Sequence, residues 1–93
     1  MRFKCSCCGN FTLNEETDAI CKVCFWQEDI VQRVDPFFKG GANEESLIQA
    51  RMNYRLFGAC SKDFIHLVRQ PLFEELPVVS TNSKSGEDVC KKP

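Results

Sequence analysis

The sequence has no excess of charge of either sign. Twelve Lys and Arg stand against 13 Asp and Glu, a net charge of −1, with an isoelectric point near 5.8. Proteins that grip nucleic-acid backbone or acidic membrane indiscriminately carry a basic excess, so this balance argues against both. Long apolar runs are missing as well. Val23-Cys24-Phe25-Trp26 is typical of the longest and far too short to cross a bilayer. No apolar stretch follows Met1-Arg2-Phe3-Lys4, so no secretory leader is read there, and a cytoplasmic location without membrane attachment is expected. Histidine occurs once. His66 is followed by Leu67 and Val68, without the nearby Glu that a zinc deaminase needs, and it is expected to be a partly buried helix residue. No internal repeat is visible, and 93 residues leave room for one domain.

What is abundant is cysteine, with seven in 93 residues. Five fall in the first 30 positions: Cys5, Cys7, Cys8, Cys21 and Cys24. An odd count closes poorly into disulfides, and in a reducing compartment thiols stay available to a metal. Cys5-Ser6-Cys7-Cys8 and Cys21-Lys22-Val23-Cys24 are both Cys-x-x-Cys corners, the spacing with which one tight turn offers two sulfurs. Cys5, Cys8, Cys21 and Cys24 are therefore the expected ligands of one structural zinc, with iron as the alternative, since tetrahedral thiolate suits both. Cys7 is a substitute for Cys5 or Cys8, but corner spacing favours the outer pair. Such a site supplies about 10–16 kcal/mol of apparent binding energy, against a net stability of about 5–10 kcal/mol for a domain this small. Four cysteines leave no open coordination position, so the site reads as structural and the chain as non-enzymatic. A thioredoxin-like dithiol would sit near a βαβ pattern, whereas helical periodicity starts here only after Asn43. Cys60 is expected as a packed core thiol and Cys90 as a free thiol in the tail.

Patterning predicts a small α+β fold. A zinc-ribbon-like N-terminal β-hairpin pairs a strand at Asn10–Leu13 with a return at Ala19–Cys21 and carries the four-cysteine metal site. Two short α-helices follow. Asn43 is the expected N-cap of the first, Leu47, Ala50, Tyr54 and Phe57 recur along it, and Gly58 closes it. Ser61 is expected to cap the second, with Phe64, Leu67 and Val68 on one face and Pro71 as its stop. The domain is set at 1–73 and a largely flexible tail at 74–93, because Ser80 to Asp88 has almost no apolar side chain with which to offset ordering entropy.

The chain resembles the bacterial cysteine-rich CPCC family. Four segments carry the likeness: Cys5-Ser6-Cys7-Cys8-Gly9, Cys21 to Asp29, Gly40-Gly41-Ala42-Asn43 and Asn53 to Cys60. Ser6 stands where the family has the proline that names it; proline stiffens the turn and supplies no ligand. Some similar small proteins look like immunity partners of bacterial toxins, so the resemblance implies a protein partner, a toxin domain foremost. Trp26, Glu28 and Asp29, in an acidic aromatic segment, are candidate contacts for a basic toxin surface; the alternative, favoured for Trp26, is that its ring packs in the core against the second corner while Glu28 and Asp29 are solvated. Two rival readings are a nucleic-acid binder, using Arg33, Lys39, Arg51, Arg55 and Arg69 with Phe37 and Phe38, and a thiol redox protein.

Overall fold

A computed structural model describes residues 2–77. It contains a two-stranded antiparallel hairpin, two α-helices and two short 3-10 turns, with the cysteines at the centre. Strand β1 (Phe3–Lys4) pairs with β2 (Phe11–Leu13), not Asn10–Leu13 with Ala19–Cys21 as expected from alternation. Ile20 instead bridges to Gln27. The reason lies in the corners. A Cys-x-x-Cys turn brings the chain back beside itself, so each corner pairs its own flanks, and the stretch between the corners is left to connect them.

Helix α1 (Ile30–Val34) was not foreseen, because five residues are too few for periodicity to show. Asp29 is its N-cap, accepting from Val31 N–H at 2.8 Å. Helix α2 spans Leu47–Phe57, and its N-cap is Ser46, whose hydroxyl accepts from Gln49 N–H at 3.1 Å. Gly58 closes it in the left-handed conformation, as expected. Asn43 is not the cap because its side chain is committed elsewhere. Its Oδ1 accepts from Gln27 N–H at 2.9 Å, and its Nδ2 donates to Gln27 C=O and Gln32 Oε1. Gln32, fully buried on α1, completes this hub by donating to the carbonyls of Phe38, Asn43 and Glu45. Polar side chains here do what a third strand would do, satisfying the backbone of an irregular loop. Gly41 is required beside them: a Cβ there would stand 2.6 Å from Asp29 Oδ2.

The expected second α-helix is a 3-10 turn, Lys62–Leu67, capped by Ser61 as anticipated. The chain entering it is tied to the cysteine region, since Cys60 N–H donates to Cys24 C=O at 2.8 Å. The folded part also reaches past residue 73. Phe73–Glu75 forms a second 3-10 turn, and Glu75 is buried with both oxygens on the Arg69 guanidinium at 2.8 Å. The expectation of a flexible tail otherwise concerns residues 78–93, which with Cys90 lie outside the described residues. The apolar core consists of Leu13, Val23, Trp26, Leu47 and Ala50, packed around buried thiols.

Two outcomes follow from this packing. Gln32→Leu strands the polar groups of the hub, and urea unfolding should show a loss of about 2–4 kcal/mol. Arg69 foremost, helped by Leu72 N–H, holds the Glu75 carboxyl down from 4.5 to about 2. A carboxyl depressed in the folded state stabilises fully above its unfolded value and ceases to as pH falls through its folded one. The stability difference between wild type and Glu75→Gln should therefore be complete at neutral pH and shrink from pH 4.5 toward about 2.

Candidate metal centre

The two Cys-x-x-Cys corners are built alike, although no repeat is visible in the sequence. In the first, Cys5 N–H donates to Asn10 C=O at 2.9 Å and Gly9 N–H to Cys5 C=O at 2.9 Å. In the second, Cys21 N–H donates to Trp26 C=O at 2.9 Å and Phe25 N–H to Cys21 C=O at 2.8 Å. Each corner ends on a left-handed residue, Gly9 with φ 81° and Phe25 with φ 71°. Glycine adopts this conformation freely, whereas for phenylalanine it costs about 1–2 kcal/mol. The Phe25 ring lies 4.9 Å from that of Phe64, tilted by 45°, and a pair of this kind returns about 0.5–1.5 kcal/mol beyond its buried area. The strained residue thereby fastens the Lys62–Leu67 turn to the second corner.

The Sγ atoms of Cys5, Cys8, Cys21 and Cys24 all lie within 4.8 Å of one another. Cys5 to Cys24 is 3.6 Å and Cys8 to Cys21 is 3.7 Å. A regular tetrahedron with metal–sulfur bonds of about 2.3 Å has edges of about 3.8 Å, so the four sulfurs fit a tetrahedral thiolate ion. Cys5, Cys21 and Cys24 are fully buried, and Cys8 is half-buried. Donors already point at the cluster: Thr12 Oγ1 lies 2.9 Å from Cys21 Sγ, with Val23 N–H at 3.4 Å and Cys24 N–H at 3.5 Å. Such donors favour the thiolate. Crowded together, the thiols shift one another unevenly. Hydrogen bonding with Cys21 pushes Cys5 and Cys24 up, while Cys24 foremost and then Cys5 draw Cys21 down. A divalent ion held by Cys5, Cys8, Cys21 and Cys24 would remove that conflict by allowing all four to ionise together.

The remaining thiols do not join this set. Cys7 is buried, and Cys60, also buried, is pushed up to about 12, first by burial. A thiol that holds its proton so firmly is a poor nucleophile at neutral pH. His66 is exposed rather than partly buried.

Of the three candidate contact residues, Trp26 and Glu28 are not on the surface. Trp26 is fully buried in the core, where its Nε1 has no hydrogen-bond partner among the described residues. Glu28 is also fully buried, accepting from Ser6 N–H, the Ser6 hydroxyl and Arg33 Nη1. Asp29, half-buried, caps α1 and accepts from Ala42 N–H at 2.8 Å. All three side chains hold the fold together, and Trp26 and Glu28 are buried away from any partner. The segment's charge pattern is real, but its direction in space depends on the corner that precedes it. Conversely, Arg33, Arg51 and Arg55 meet Lys4 around one groove beside the first corner. The one-turn spacing of Arg51 and Arg55 is legible in the sequence, whereas the arrival of Lys4 and Arg33 is not.

The family model described as cysteine-rich CPCC matches residues 3–75, most of the chain. No curated protein matches it. No helix among the described residues is long and apolar enough to cross a membrane.

Replacing Cys5, Cys8, Cys21 or Cys24 by Ser should abolish stoichiometric metal binding, whereas Cys7→Ser should retain one ion per chain. Elemental mass spectrometry of the purified variants distinguishes these outcomes.

Proposed function

The chain belongs to the cysteine-rich CPCC family, and from that premise we propose a metal-stabilised, zinc-ribbon-like protein-binding module without catalytic activity. The observation that carries the metal part is the four-sulfur cluster with all Sγ atoms within 4.8 Å. Four protein ligands fill a tetrahedral ion, leaving no position for a substrate or an activated water. Zinc is the proposed ion, and iron suits the same donor set. A reducing, cytoplasmic setting keeps the thiols competent to bind it.

The protein-binding part is supported by the surface. Val34, Phe37 and Phe73 are at least three-quarters exposed, and Val31, one turn from Val34 on α1, is more than half exposed. Large apolar side chains left this exposed on a small domain favour contact with another protein. The narrower reading is an immunity protein that neutralises a toxin domain. It draws on the family resemblance and on the absence of a substrate position in the cluster, and it now uses surfaces other than Trp26, Glu28 and Asp29.

Native protein should carry one zinc per chain, and chelation should unfold it, with circular dichroism and elemental analysis moving together. A Cys5–Cys8 disulfide in place of stoichiometric metal would establish the redox reading instead. Tagged protein recovered from its native cells should bring down a protein partner in stoichiometric amount. Recovery of none under any condition would remove the binding role.

A further inference from the structure

Lys4 from β1, Arg33 from α1, and Arg51 and Arg55 from α2 surround an open groove of 770 Å³, with Cys5 to Gly9 of the first corner and Tyr54 completing its walls. Arg51 and Arg55, one turn apart, face the same way. Arg51 is held in place because its Nε donates to Ser6 C=O at 2.9 Å. Among the described residues no carboxylate lies within 4.0 Å of Lys4, Arg51 or Arg55. Two of the lining residues, Ser6 and Arg33, already hold a buried carboxylate behind the groove wall. That carboxylate is Glu28, held by Ser6 N–H at 3.2 Å, by the Ser6 hydroxyl and by Arg33 Nη1 at 3.2 Å. A divalent ion among four thiolates retains negative charge that offsets part of the four cations, and Glu28 offsets more, yet positive charge remains in excess.

We infer that this groove docks an acidic segment of a protein partner, whose Asp or Glu side chains pair with Lys4, Arg51 and Arg55. The inference rests on the protein-binding reading and specifies the partner's chemistry. Guanidinium forks recognise carboxylates in a fixed planar geometry, and Arg51 is already oriented by the corner. Nucleic acid fits the same cations less well. A polyanion running beyond the groove meets a chain whose net charge is −1, whereas a short acidic segment confines its charge to the groove.

The test uses the full-length, metal-loaded protein and fluorescence anisotropy with a labelled oligo-glutamate peptide at low and physiological ionic strength. Oligo-glutamine and single-stranded oligothymidylate serve as comparison probes. The oligo-glutamate peptide should bind, more weakly as salt rises, and oligo-glutamine should not. The double charge reversal Lys4→Glu with Arg55→Glu should weaken binding by about tenfold or more, with metal content and unfolding midpoint unchanged. Lys62→Glu, exposed and outside the groove, should have little effect. Absence of binding at low salt, indifference to the double reversal, or tighter binding of oligothymidylate would each overturn the inference. A native partner captured equally by wild type and the double variant would remove the groove as its docking site while leaving protein binding itself intact.

Discussion

Everything in this molecule depends on bringing four sulfur atoms within 4.8 Å of one another from two separate turns. That convergence is costly without a cation, since four buried thiolates repel and four thiols in contact compete for protons. With an ion present, the same crowding becomes the strongest link in the chain, joining halves that share little regular secondary structure. The two strands comprise only two and three residues, and the longest helix has 11. Elements this short do not stand alone. Trp26, Leu13, Leu47 and Val23 pack around the sulfurs and form with them a single core.

The second half of the fold is held by a different device. Gln32 and Asn43 exchange hydrogen bonds with each other and with the backbone at Gln27, Phe38 and Glu45, so residues 35–46 are ordered with no helix or strand of their own. Buried amides in such a network are satisfied only in one arrangement, which gives the loop a definite path. Gly41 belongs to this network through its lack of a side chain, because Asp29 and Gln32 occupy the space a Cβ would need. The Gly40-to-Asn43 segment that helps to mark the family resemblance is thus a packing requirement.

What was legible in the sequence follows from how local each feature is. The cysteine spacing encodes the turn it makes, so the four-sulfur set is read directly from Cys5, Cys8, Cys21 and Cys24. Gly58 and Ser61 act as caps through their own backbone and side chain, and both were read correctly. Strand pairing was misread because alternation at Asn10–Leu13 marks a strand without naming its partner, and the partner is dictated by the corner. Trp26 is in the core, the position favoured for it in the sequence, whereas Glu28 was misread for a related reason. An acidic aromatic run looks like a surface, but Phe25 in the left-handed conformation redirects the chain, and Trp26 and Glu28 then point inward. The groove of Lys4, Arg33, Arg51 and Arg55 draws on three elements, and only the Arg51–Arg55 pair is local enough to be seen in advance.

The likeness of the two corners bears on how the chain reaches this state. Each closes between residues only five apart, as in Cys5 to Asn10 and Cys21 to Trp26. Closing a short loop takes on the order of 10–100 ns, far faster than assembly of a small domain. Each corner is therefore a separate, rapidly sampled pair of sulfurs, and the second pair would reach an ion held by the first at high effective concentration. An ion bound by this set would thus be met first by one corner and then by the other, each formed from a few neighbouring residues before the rest of the fold assembles.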